Sequence, residues 1–131
     1  MKYLLDTSVF LWALGAEHRL NPRARNLLSS NDAELYLSAA SSWEIAIKFA
    51  LGTLELPKPP SQFIPNAVSL LAIRTLDITH FHSLMAGELP PYHRDPFDRM
   101  LIAQARLENM VLLTADRVLL KYDVKTMLCG K

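Results

Sequence analysis

Short apolar runs alternate along this chain with longer stretches in which apolar residues are spaced for a helix face. Residues 2–6, Lys-Tyr-Leu-Leu-Asp, form an apolar run closed by a polar residue, the pattern of a short buried strand. Val9 to Leu14 then predict a helix that Thr7 or Ser8 can cap and Gly15 ends. Asn21-Pro22 reads as an N-cap followed by proline at the first helical position, opening a helix to about Ser29. Residues 34–38 are a second strand. Ser38 to Gly52 are a helix, and Pro57-Lys58-Pro59-Pro60 is a stiff connector. A helix over 61–72, irregular at Pro65, precedes a third strand at 73–76. Thr79 caps a helix to Gly87, and a loop at 90–94 leads into a helix opened by Asp95-Pro96. Val111 to Thr114 are a fourth strand. A helical turn near 118–120 and a fifth strand near 124–128 complete the chain. Strands alternating with helices predict an α/β sandwich with a mainly parallel sheet.

Composition narrows this only slightly. A chain of 131 residues, half of them hydrophobic, is the size of one domain with a core of its own. The net charge of +1 gives no global field toward nucleic acid, so any such site depends on local clustering of Lys and Arg. The lone cysteine, Cys129, fits a reducing compartment. No apolar run reaches the roughly 20 residues of a membrane span, and no secretory signal is read. A cytoplasmic protein is expected.

Chemistry enters with five acids: Asp6, Glu44, Asp95, Asp98 and Asp116. They fall at predicted strand ends and helix starts, embedded in apolar sequence. Unpaired carboxylates are costly to bury, and two of them about 4 Å apart repel by roughly 4 kcal/mol at an effective dielectric near 20. A divalent cation removes that penalty, and hard cations such as Mg²⁺ prefer oxygen ligands. Open α/β sheets bind ligands beyond the carboxyl ends of their strands, where strand order reverses. Asp6 and Asp116 follow the first and fourth strands, so they meet at one rim if those strands are neighbours. Glu44 has a plainer alternative, an exposed ion pair with Lys48 four residues on, worth about 0.3–0.5 kcal/mol. Asp95 suits a helix cap, whereas Asp98, at the third helical position, is the preferred ligand. Thr114 is placed to orient the Asp116 carboxylate.

Other candidates are weaker. The histidines lack metal spacing, and the His80–His82 pair reads as surface. Four glycines make no phosphate loop, Ser8, Ser38 and Ser42 show no nucleophile signature, and Cys129 has no basic partner nearby. Trp12, Trp43 and Phe49 read as core.

Leu5-Asp6-Thr7-Ser8, Ser42-Trp43-Glu44-Ile45, Arg94-Asp95-Pro96-Phe97-Asp98-Arg99 with Leu101-Ile102-Ala103-Gln104-Ala105, and Leu113-Thr114-Ala115-Asp116 together resemble PIN-domain ribonucleases. Within them, the VapC-type toxins of bacterial toxin–antitoxin pairs are the nearest match. The resemblance spans essentially the whole chain, in order. It implies one PIN domain over 1–131, a three-layer α/β/α fold and sheet order 3-2-1-4-5. It also implies a site of Asp6, Glu44, Asp98 and Asp116 holding Mg²⁺ or Mn²⁺, with Asp95 supporting and Ser8 or Thr7 hydrogen-bonding within it. The activity implied is endoribonuclease cleavage of single-stranded or looped RNA, a tRNA or another structured RNA, by metal-activated water. Arg94, Arg99, Lys48 and Arg117 flank the acids and are candidate phosphate contacts. A small VapB-type antitoxin, docking an amphipathic segment near Leu11, Trp12 and Phe49, and a homodimer are implied as well. A non-catalytic RNA-binding or protein-interaction module on the same fold is the alternative. An aspartyl-nucleophile phosphatase is disfavoured because Asp6-Thr7-Ser8 lacks a second aspartate two positions on.

Overall fold

The computed structural model describes residues 1–131. Its sheet has five parallel strands: β1 (Lys2–Leu5), β2 (Glu34–Ser38), β3 (Arg74–Leu76), β4 (Val111–Thr114) and β5 (Thr126–Leu128). Their spatial order is β3-β2-β1-β4-β5. The chain steps outward from β1 to β3, then crosses back to place β4 on the other side of β1. The gap between β1 and β4 is therefore the point of reversal, as the resemblance implied.

Parallel strands are covered on both faces, so neighbouring residues of one strand feed opposite cores. Leu4 and Leu5 are both fully buried. Leu5 packs with Val9, Phe10, Leu37 and Leu113 on one face. Leu4 packs with Leu101, Ile102, Ala105 and Leu112 on the other. The first face is covered by α1 (Thr7–Gly15), α2 (Pro22–Leu28), α3 (Ala39–Ala50) and α4 (Pro60–Leu70), which supply Val9, Ala24, Ile45 and Ile64. The second is covered by α6 (Pro96–Leu107), with α5 (His80–Glu88) packed beside it. Three layers result. None of the helices is long and apolar enough to cross a membrane.

Local chemistry accounts for the element starts, with three differences from expectation. Helix α1 is capped by Asp6 itself, whose Oδ1 accepts from the Val9 amide at 2.7 Å, and not by Thr7 or Ser8. His82, expected at the surface, is 1% exposed. It occupies the third position of α5, where Thr79 caps its amide and its Nδ1 accepts from the Thr79 amide at 3.0 Å. That tautomer leaves Nε2–H to donate to Glu108 at 2.8 Å. Trp43, expected in the core, is exposed instead. Helix α3 turns Ala40, Ser41, Glu44 and Ile45 inward, and Trp43 falls outside that stripe.

Candidate metal centre

Strand register sets the first contact. Leu5 of β1 pairs with Leu113 of β4, so Asp6 and Thr114 emerge side by side at the carboxyl rim. The Asp6 amide donates to the Leu113 carbonyl at 2.9 Å. Asp6 is 5% exposed. Burial pushes its carboxyl above the ordinary range, hydrogen bonds from the Thr114 side chain and the Val9 and Ala115 amides pull it back, and the nearby Glu44 charge raises it again. Thr114 therefore serves Asp6 with its hydroxyl. Its Oγ1 also accepts from the Asp116 main-chain amide at 3.0 Å, so it fixes the Asp116 backbone and does not bond the Asp116 carboxylate.

Glu44 comes from α3 and is buried, although its neighbour Trp43 is not. Its Oε1 accepts from the Thr7 hydroxyl at 2.7 Å and its Oε2 pairs with Lys48 Nζ at 2.6 Å. The surface-pair alternative thus holds for Lys48 but not for Glu44. Two of its roughly four acceptor positions are used. The serine–threonine choice is also resolved locally. Thr7 bonds Glu44, while Ser8 is exposed and takes no part in the cluster.

Helix α6 brings the third acid. Asp95 is its N-cap, accepting from the Phe97 and Asp98 amides at 2.8 and 3.3 Å. Pro96 fills the first helical position, where no amide is needed. Asp98 then points back toward the rim. Its carboxyl is pushed up to about 7, chiefly by burial, then by the charge of Asp95, with smaller contributions from Asp6 and Glu44. His93 lowers it. Asp116 is the fourth acid. It caps the 3-10 turn Arg117–Lys121 through Oδ1, which accepts from the Val118 amide at 3.0 Å, and leaves Oδ2 directed at the cluster.

His93, set aside in the sequence with the other histidines for want of metal spacing, lies among the acids. Its Nε2 lies 2.9 Å from Asp116 Oδ2 and 3.2 Å from Asp98 Oδ2. Its Nδ1 accepts from the Asp95 amide at 3.0 Å, so Nε2 carries the proton and donates to the acids. The only sequence signal was its position two residues before a capping aspartate. Side-chain spacing along the chain carries no hint of it.

The basic candidates separate sharply. Arg99 is committed to structure, its guanidinium spanning the carbonyls of Ala86, Leu89, Pro90 and His93 at 2.8–3.2 Å. It closes the C-terminal end of α5 and does not reach outward as a free phosphate contact. Lys48 is held by Glu44. Arg94 and Arg117 are exposed and make no ion pair. Cys129 is fully buried and its thiol is pushed up to about 12 by that burial, which removes it as a nucleophile.

The donor set suits a hard divalent cation. Asp6, Glu44, Asp98 and Asp116 all offer carboxylate oxygens, and ligand atoms of His93, Asp98 and Asp116 lie within 4.8 Å of one another. Burial first, and then the charges of Asp95, Asp6 and Glu44, disfavour the ionised Asp98 carboxylate, and a bound divalent cation would offset both.

A three-layer parallel α/β domain with carboxylates gathered at its switch point is one of the acid-rimmed folds. Residues 3–125 match the PIN domain family, and the chain belongs to that family. Over 49 residues it is 39% identical to Ribonuclease VapC16 of Mycobacterium tuberculosis, a match covering 37% of this chain and 35% of that protein. The chain therefore spans only 35% of the length of the curated relative it matches. VapBC2 from Rickettsia felis, bound to a DNA fragment from its promoter, superposes with a TM-score of 0.75 at 15% identity, covering 99% of this chain and 100% of that one. VapBC-1 from nontypeable Haemophilus influenzae gives 0.67 at 20% identity over 98% of each chain. At these identities the two structures attest to the fold.

Proposed function

We propose that this chain is a metal-dependent endoribonuclease, the toxin of a toxin–antitoxin pair, with residues 1–131 working as one PIN domain in the cytoplasm. The observation that carries the reading is the gathering of carboxylates from β1, α3, α6 and the β4 end at one rim, where Asp98 and Asp116 share the His93 imidazole and Asp98 feels the charges of Asp6 and Glu44. The family membership and the name of the mycobacterial relative support it.

Asp6 and Asp116, with the oxygens left free by their capping bonds, and Asp98, whose carboxylate caps nothing, would hold Mg²⁺ or Mn²⁺. Glu44, fixed by Thr7 and Lys48, completes the ring of oxygens. A divalent cation so held supplies Lewis-acid polarisation of a phosphodiester and a more acidic water as nucleophile. Asp95 holds the start of α6, and so the aim of Asp98. The His93 Nε2–H supplies one hydrogen-bond donor among the acids. Arg94 and Arg117 are the cations free to meet substrate phosphates. Attack in line leaves a 5′-phosphate and a 3′-hydroxyl. Unpaired RNA suits a narrow acidic rim better than duplex.

The partner in this reading is a VapB-type antitoxin, consistent with the VapBC complexes that share the fold. Leu11, Trp12, Leu14, Leu54, Leu56 and Phe63 line an apolar groove that an amphipathic segment fits. Phe49 lies outside it. A homodimer belongs to the same reading, and Phe81 and Leu84 of α5 offer exposed apolar surface.

The test is cleavage of RNA in Mg²⁺ or Mn²⁺ by Asp6→Asn and Asp98→Asn. Both variants should keep the far-ultraviolet circular dichroism of the parent and lose cleavage. Full activity in both would end the assignment.

A further inference from the structure

Trp43 has no role in the site described above. Its side chain is 63% exposed, although the next residue, Glu44, is 7% exposed and faces the acids. The indole packs on Phe97, with ring centroids 5.5 Å apart and planes at 76°. Phe97 immediately precedes Asp98. The pair thus bridges α3 and α6 beside the two helix turns that supply Glu44 and Asp98. In an edge-to-face pair the edge of one ring meets one face of the other. Whichever ring presents its edge, Phe97 leaves at least one face of the indole uncovered, and the residue is largely exposed.

Charge makes that open face useful. A nucleic-acid strand entering the rim meets four carboxylates, and the chain's net charge is only +1. Of the four cations flanking the acids, Lys48 is paired with Glu44 at 2.6 Å and Arg99 is spent on main-chain carbonyls. Of these four, Arg94 and Arg117 remain for phosphates, and a contact that does not depend on charge would add to what they and a bound cation supply. A base stacked on an aromatic face supplies one, and losing such a face by alanine substitution weakens binding about five- to hundredfold.

We propose that Trp43, braced by Phe97, is a stacking platform for an unpaired nucleobase next to the phosphodiester at the acidic rim. The inference rests on the ribonuclease reading and adds a base-binding subsite to it. Bases inside a duplex are stacked on their neighbours and offer no free face, so the platform favours single-stranded or looped RNA.

The chain has two tryptophans, so a Trp12→Phe background isolates the Trp43 fluorescence. Adding Asp98→Asn prevents consumption of the RNA during titration. Hexa-adenylate should quench Trp43 saturably, and an RNA duplex of equal length should not. Trp43→Ala should weaken hexa-adenylate binding about tenfold or more, by anisotropy of a labelled strand, while Trp43→Phe keeps most of it. In the otherwise unaltered protein, the loss on Trp43→Ala should fall on KM more than on kcat. Absence of quenching, or equal affinity in Trp43→Ala, overturns the platform. So does a Trp43→Ala protein that changes oligomeric state by sedimentation while its RNA affinity is unmoved, because Trp43 then belongs to a protein interface. If hexa-adenylate quenches but the unaltered protein cleaves no RNA, the platform stands and the ribonuclease reading falls.

Discussion

Asp98 shows how a candidate metal ligand trades against stability. Its folded carboxyl sits at about 7, far above the 3.8 of a free aspartate, mainly through burial and then through Asp95. The folded state therefore binds more protons than the unfolded state between these values, and stability falls as pH rises through that window. Asp98→Asn removes the titrating group. In EDTA, the gap in melting temperature between Asp98→Asn and the parent should widen in the variant's favour from pH 5 to pH 8. A gap that does not change with pH would show that Asp98 is not raised. The same linkage makes cation affinity climb over this range, because a ligand must lose its proton before it binds. Residue types at this scale were legible in the sequence. The acids stood out because carboxylates inside apolar runs need a reason. His93 and the double duty of Asp6 did not, since both depend on which amide points where. That is settled by backbone direction at the strand ends, not by residue type.

At the scale of elements, α5, α6 and the intervening loop form one polar-locked unit. Arg99 of α6 reaches back to the carbonyls of Ala86 and Leu89 at 2.8 and 2.9 Å and to that of His93 at 3.2 Å. Helix ends leave carbonyls without partners, and a guanidinium fork satisfies several together. Removing it strands half-buried acceptors and should cost about 2–3 kcal/mol. Arg99→Lys should recover little, because an ammonium cannot span the same fork. Arg94→Ala, by contrast, should leave the urea midpoint in place and weaken RNA binding. A parental urea midpoint in Arg99→Ala would return Arg99 to the list of free phosphate contacts. Caps and proline positions announced most element starts correctly, including Asn21-Pro22, Thr79 and Asp95-Pro96. The faces of α3 and α5 were harder to assign. Trp43 and His82 exchanged their expected environments because which side of a helix is buried depends on the neighbouring element. Mixed apolar stretches do not encode that neighbour.

For the molecule as a whole, alternation of strand and helix was enough to infer a parallel α/β sheet, but not the order of its strands. That order came from resemblance to a family and matches the observed β3-β2-β1-β4-β5. It matters because it alone makes β1 and β4 neighbours, so that acids 110 positions apart, Asp6 and Asp116, share one rim. The centre is then assembled from β1, α3, the loop before α6, α6 itself and the β4 end, which no unfolded chain holds together. A cation bound there has little affinity for the unfolded state, so it should stabilise the entire fold by mass action. At ten times its dissociation constant, Mn²⁺ should add about 1.4 kcal/mol, a rise of roughly 3–7 °C in melting temperature for a domain of this size. The rise should grow with the logarithm of Mn²⁺ concentration and disappear in Asp6→Asn, whose amide keeps the helix cap but gives up the charge. Mn²⁺ that leaves the melting temperature of the parent unchanged, or that stabilises Asp6→Asn equally, would mean that the four acids do not share an ion.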